Sequence, residues 1–178
     1  MKKLFVLICF SVFAFGYSQE KEKEKIDFPR NEIKGNALIL IAGGLEVTYE
    51  HLLNEESGMG ISVFAPFVKD FDTKFSLTPY YRFYFGEKPA AGFFVEGFGM
   101  FNTFEYSEDW LFNETPIEFT KRQSDFALGF GLGGKWVTKR GFVVEVNGGI
   151  GRNLFNSLSE DYGHQFVGRG GVSLGYRF

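Results

Sequence analysis

Polar and apolar positions alternate without a break from His164 to Phe178. Phe166, Gly168, Gly170, Val172, Leu174, Tyr176 and Phe178 fall on one face, and Val167, Arg169, Gly171, Ser173, Gly175 and Arg177 on the other. A period of two is the signature of a strand. The same period recurs upstream and predicts eight strands: Glu32 to Ile41, Leu45 to Leu53, Met59 to Phe67, Phe75 to Phe85, Gly92 to Phe104, Ser124 to Val137, Phe142 to Leu154, and Gln165 to Phe178. The connections alternate too. Gly86 to Ala90 and Thr138 to Gly141 are tight, whereas Glu105 to Gln123 and Phe155 to His164 are long and polar. An even number of antiparallel strands with this rhythm predicts an all-β, eight-stranded, up-and-down barrel, with both termini at the short-turn end.

A soluble barrel would be apolar within and polar without, and a lipid-embedded one the reverse, so the composition of the polar face decides. That face carries Gly129, Gly131, Gly133, Gly149, Gly151, Gly171 and Gly175 among single charges of both signs, rather than the long Lys, Glu and Thr side chains of a wetted surface. Glycine and sparse charges suit a crowded interior. The other face holds Phe75, Leu77, Tyr81, Phe83 and Phe85 on one strand and Phe126, Leu128, Phe130, Leu132 and Trp136 on another. Such a surface needs an apolar solvent, which predicts a transmembrane barrel. Tyr49, Trp136 and Tyr176 then fall near the short-turn strand ends, where an aromatic girdle is expected.

Charge and composition narrow the function. The amino terminus has Lys2 and Lys3, an apolar run from Leu4 to Phe15, and Gly16-Tyr17-Ser18 ahead of Gln19, which predicts a secretory signal peptide over residues 1–18. At about a dozen residues the run is too short to span a bilayer as a helix. Cys9 lies inside it behind the bulky Ile8, a poor lipoprotein site, so the expected mature chain has no cysteine, disulfide or thiol chemistry. Residues 19–30 are expected to form a charged tether, leaving 31–178 as the barrel. Removing the two lysines leaves 19 − 2 = 17 basic against 22 acidic residues, a net charge of −5 that argues against nucleic acid as a partner.

Alternation sends Lys34, Glu46, Glu50, Arg82, Glu96, Lys135, Glu145, Arg169 and Arg177 into the lumen. An eight-stranded barrel is only wide enough to be filled by side chains. A structural salt-bridge plug is therefore expected, with a narrow ion path or switchable gate as the sharper alternative. Gly129-Phe130-Gly131-Leu132-Gly133-Gly134 matches a dinucleotide-binding pattern, but alternation runs through it with no helix following, so the glycines are read as space for inward rings such as Tyr80, Phe94 and Phe98. His164 with Ser157, Ser159, Glu160 and Asp161 is an unspecific spacing for a catalytic triad, and His51 reads as a rim residue. No cofactor or metal is expected. In the stretch from Glu105 to Gln123, Glu108, Asp109 and Trp110 are the candidates for surface recognition.

The ending Gly175-Tyr176-Arg177-Phe178 resembles the terminal signal of bacterial outer-membrane proteins, in which Tyr176 and Phe178 would be read by the barrel-assembly machinery. With Asn31-Glu32-Ile33-Lys34 and Leu45-Glu46-Val47-Thr48-Tyr49-Glu50, residues 31–178 resemble the small outer-membrane β-barrel proteins of the OmpA/OmpX type, in the form common in Bacteroidetes. The resemblance implies a location in the bacterial outer membrane, with lipid and lipopolysaccharide as surroundings. It also implies a non-enzymatic role in envelope integrity or surface interaction. A porin-like channel and a lipid-modifying enzyme at the outer leaflet are the alternatives. A peptidoglycan-binding domain, which follows the barrel in some relatives, is not expected.

Overall fold

Alternation becomes register in the computed structural model, which describes residues 28–69, 71–112, 115–155 and 165–178, with the backbone alone for 106–112 and 115–120. The expected signal peptide, residues 19–27 of the tether and the segment from Ser157 to His164 lie outside the described residues. The strands are β1 (Asn31–Asn36), β2 (Gly44–Leu52), β3 (Ser57–Pro66), β4 (Thr73–Tyr84), β5 (Gly92–Phe112), β6 (Thr115–Val137), β7 (Phe142–Asn153) and β8 (Phe166–Arg177), with one helix, α1 (Ala37–Ile41), between β1 and β2. Each strand pairs antiparallel with its sequence neighbours, and β8 returns to β1 to close the barrel. The seam runs from Glu32 opposite Arg177 to Asn36 opposite Ser173. Reciprocal backbone hydrogen bonds between Asn31 and Phe178, 3.1 and 2.8 Å, finish it.

The two faces of each strand separate as a pleated sheet requires. Phe93, Val95, Phe101, Leu128, Phe130, Leu132 and Trp136 point out and are exposed, an apolar surface far larger than a water-soluble monomer carries. On β5 and β6 this belt ends where Thr103 hydrogen-bonds Ser124 at 2.9 Å and Arg122 bonds Glu105 at 2.6 Å. From Phe93 to Phe101 is eight residue steps, which at about 3.3 Å per step and the usual strand tilt rise roughly 20 Å, of the order of the apolar band of an outer-membrane barrel. Among the described residues no helix is long and apolar enough to cross a membrane.

Inside, rings lie against glycines. Phe98 packs over Gly129, Gly149 and Gly151, Phe94 over Gly133, and the Tyr80 hydroxyl over Gly60. The glycines of the dinucleotide-like pattern thus sit in mid-strand on β6.

Two expectations need correction. The first strand was expected to run to Ile41, but it ends at Asn36 and one helical turn follows. Ala37 to Ala42 is an unbroken apolar run with no period of two, and the Asn36 side chain accepts the Ile39 N–H at 3.3 Å, capping the turn. The stretch from Glu105 to Gln123, expected as a long loop, instead continues the β5–β6 ladder in register from Phe104 opposite Gln123 to Phe112 opposite Thr115. Its charges had suggested a loop, yet beyond the apolar belt a two-stranded ribbon can be polar on either face and still satisfy its backbone across the pair.

Candidate functional site: the barrel interior

The half of the barrel nearest the termini is filled by ion pairs. Glu50 on β2 is the hub: its Oε2 accepts hydrogen bonds from Lys34 Nζ (2.5 Å), the Tyr80 hydroxyl (3.0 Å) and Arg82 Nη1 (3.1 Å). Its Oε1 accepts from Lys135 Nζ at 3.0 Å and from the Tyr84 hydroxyl. Glu145 Oε2 takes further bonds from Lys34 (2.6 Å) and Arg82 (2.8 Å). Arg82 Nε reaches Glu96 at 2.7 Å, and Arg169 Nη1 lies 3.2 Å from the other oxygen of Glu96. At the terminus end Glu32 accepts from Lys135 at 2.8 Å and from Arg177 Nε at 2.7 Å. The side chains of Glu32, Glu50 and Lys135 have no exposed area at all. Rings complete the packing. The Arg82 guanidinium sits 4.3 Å from both the Tyr80 and Phe94 ring centres, and Lys135 Nζ 4.5 Å from Tyr84, contacts that strengthen when desolvated.

Below this network the β4–β5 turn folds across the barrel end. Arg177 donates to the carbonyls of Pro89 and Ala90, each at 2.8 Å, and the Ala90 N–H donates to Glu55 O at 2.6 Å. Ala90 adopts a φ of 45°, a conformation that a residue with a Cβ keeps only when its surroundings hold it there. Leu52, Tyr84, Ala90 and Phe94 form an apolar cluster here, with Phe28 packed against it. The tight turn expected from Gly86 to Ala90 is therefore also a stopper, a role with no signal in the sequence.

The opposite half is open. A cavity of about 860 Å³ enters from the mouth away from the termini, lined in part by Glu46, Phe64, Phe71, Ser76, Asn102 and Arg169. Its walls include the buried Asn102–Asn153 side-chain pair, hydrogen-bonded at 2.9 Å. Asp125, also inward, accepts the Phe126 and Phe155 N–H groups at 2.6 and 3.1 Å, ordering the upper end of β6.

Of the nine charges assigned to the lumen, eight meet in ion pairs and Glu46 does not. Glu46 faces inward but accepts a hydrogen bond at 2.6 Å from Asn36 instead of a base; the cations that share its cavity, Arg169 and Lys74, are turned to Glu96 and Glu105. The acid missing from that assignment is Glu32, two residues before Lys34 and so on the same face; its place at the start of β1 hid the parity. Tyr80, expected only as an inward ring, and Tyr84, not among the expected site residues, both donate to Glu50. Tyr49, Trp136 and Tyr176 point outward at the terminus end, 45%, 60% and 52% exposed. Phe178 is at the seam. Glu108, Asp109 and Trp110 oppose Phe119, Glu118 and Ile117 in the β5–β6 ribbon; their side chains, and His164, lie outside what is described. His51 meets Asn31 at 2.9 Å on the rim. Among the described residues no cluster of His, Cys, Asp or Glu could hold a metal.

Outside the belt, the hydrogen bond from Arg122 holds the Glu105 carboxyl below the usual carboxylate range, with Lys74 adding to it. A depressed pKa contributes to holding these groups together above the ordinary carboxylate pKa, and that contribution is lost as pH falls through the lower folded value. The Glu105 side chain is expected to titrate below 4.5 in a carbon-detected NMR titration, and Arg122→Ala to move the midpoint upward.

No protein-family model and no curated protein sequence matches the chain. Among solved structures, the N-terminal β-barrel domain of Pseudomonas aeruginosa OprF superposes with a TM-score of 0.60 at 13% identity, covering 84% of this chain and 98% of that one. At that identity the likeness is one of fold: a closed, eight-stranded, antiparallel up-and-down barrel.

Proposed function

We propose that this barrel, built on the fold it shares with the OprF domain, is an integral outer-membrane protein with no enzymatic activity. In this reading it contributes to envelope integrity through a rigid, sealed barrel and to surface interaction through its outer connections. The observation that carries this reading is the buried ion network with the β4–β5 turn beneath it. Four carboxylates and five cations fill the lower lumen, each in at least one ion pair, and an apolar belt surrounds them. A wide-open pore would keep such groups wet; here they are desolvated, an arrangement tolerable only with this degree of pairing.

The cavity at the mouth favours a second reading, a narrow channel for ions or small solutes, in which the pairs around Glu50 would have to part. Single-channel recording in a planar bilayer separates the two. The refolded barrel and an Arg82→Ala variant are both expected to stay at background conductance, the variant with a lower unfolding temperature. Discrete steps from the unmodified barrel would make it a channel. The β5–β6 ribbon that carries Glu108, Asp109 and Trp110, raised beyond the belt, is the natural place for contact with lipopolysaccharide or a surface ligand.

A further inference from the structure

We propose that the cavity at the open mouth binds a small organic cation, an ammonium group carried on an apolar or aromatic body. A volume of about 860 Å³ is in the range of small-molecule sites, which occur in the mouths of β-barrels.

The charges of the lining give the sign of the ligand. Lys74 is paired with Glu105 at 3.3 Å, and Arg169 with Glu96 at 3.2 Å. Among the described residues, the lining charges with no opposite charge within 4 Å are Glu46 and Asp72, both acidic. Asp72 sits at the exposed rim. Glu46 lies within the wall, with one oxygen on Asn36 Nδ2 and the other free to accept. A half-buried carboxylate without a cation favours an incoming positive charge, and the apolar surroundings strengthen the attraction relative to water.

The walls give the rest of the ligand. Phe64 stands directly opposite Glu46 across the β2–β3 pair, and the Phe71 ring is 5.4 Å from it. Ring faces beside a carboxylate attract ammonium groups. Phe104, Met100 and Val167 supply further apolar wall, while Ser76 and Thr78 line the same space and offer hydroxyls that a hydrated ammonium can use. An anion would meet Glu46 and find Arg169 already taken by Glu96 and by Ser62 at 3.2 Å.

The test uses the refolded barrel in a non-ionic maltoside micelle and 2-phenylethylammonium as probe, followed by amide chemical shifts. Saturable shifts at Glu46, Phe64, Ser76 and Asn102 are expected, with neutral 2-phenylethanol binding at least about tenfold more weakly and 3-phenylpropionate more weakly still. In Glu46→Gln the ammonium should lose about tenfold in affinity and the alcohol none, which removes partition into the micelle as an explanation. Shifts that do not saturate, equal affinity for ammonium and alcohol, or tighter binding of the carboxylate would each overturn the proposal. If Glu46→Gln does not fold, the comparison of the three probes on the unmodified barrel decides.

Discussion

Replacing Glu50 with alanine is expected to destabilise the barrel by about 3–5 kcal/mol, the cost of leaving buried charges without their partner. The loss strands Lys34, Lys135 and Arg82, and removes the acceptor of the Tyr80 and Tyr84 hydroxyls. Glu145 can still neutralise Lys34 and Arg82, but Lys135 would keep only Glu32 at 2.8 Å and a distant Glu145 oxygen at 3.9 Å. Urea unfolding of the refolded barrel, followed by fluorescence of the outward-facing Trp136, measures the change. Arg122→Ala provides the scale: its side chain is 72% exposed, and its removal should move the urea midpoint far less than the loss of Glu50 does. Replacing Glu50 and Lys34 together with methionine should recover part of the loss, since apolar side chains of similar volume avoid the desolvation altogether. A Glu50→Ala barrel as stable as the original would mean that water reaches the network and that it is not a sealed plug.

The second large effect concerns space. At Gly129 an added Cβ would lie 2.6 Å from the Ile150 carbonyl and 2.7 Å from Gly151 Cα, and would also run into the Phe98 ring. Two of those three obstacles are backbone and cannot turn aside. Gly129→Val is therefore expected to lose at least about 3 kcal/mol, the upper part of the range for overpacking, or to fail to refold. At Gly148, outward on the neighbouring strand, a Cβ meets nothing within 4 Å. Gly148→Val should stay within about 0.5 kcal/mol of the original in the same urea titration. Shortening the ring with Phe98→Leu should rescue Gly129→Val only in part, because the contacts with β7 remain.

These two sites also mark what alternation can and cannot reveal. A period of two says which residues share a face, and the glycine-rich composition of one face says that it is crowded rather than wetted, so the inward placement of Arg82, Lys135 and Phe98 is legible. Which acid meets which base is not legible, because that depends on the stagger of the strands around the barrel. Glu32 and Lys135 are 103 residues apart and meet only after closure. Glu46 shows the same limit from the other side: its parity is right, yet its height in the barrel leaves it with Asn36. The end of β1 is local and could have been found, since Asn36 before an unbroken apolar run is a capping signal. The β5–β6 ribbon was hidden by its charges, which mark contact with water rather than the absence of a strand. The stopper at Pro89 and Ala90 depends on Arg177 from the far end of the chain, a long-range contact that no local pattern encodes.

The seam between β1 and β8 has a kinetic consequence. Glu32 and Arg177 are separated by 145 residues, and Lys34 and Glu145 by 111, so these pairs cannot form until the sheet has curled almost fully round. Until then the same carboxylates and cations line an open trough whose polar side must stay in contact with water or protein. Zipping of the last register, Glu32 to Asn36 against Arg177 to Ser173, is thus the event that dries the interior. Contacts of such long range are slow to form, and partly closed sheets should be sparsely populated because the charges on their inner face are not yet compensated. Folding of this barrel should therefore be slow and concerted, with the two edges meeting last.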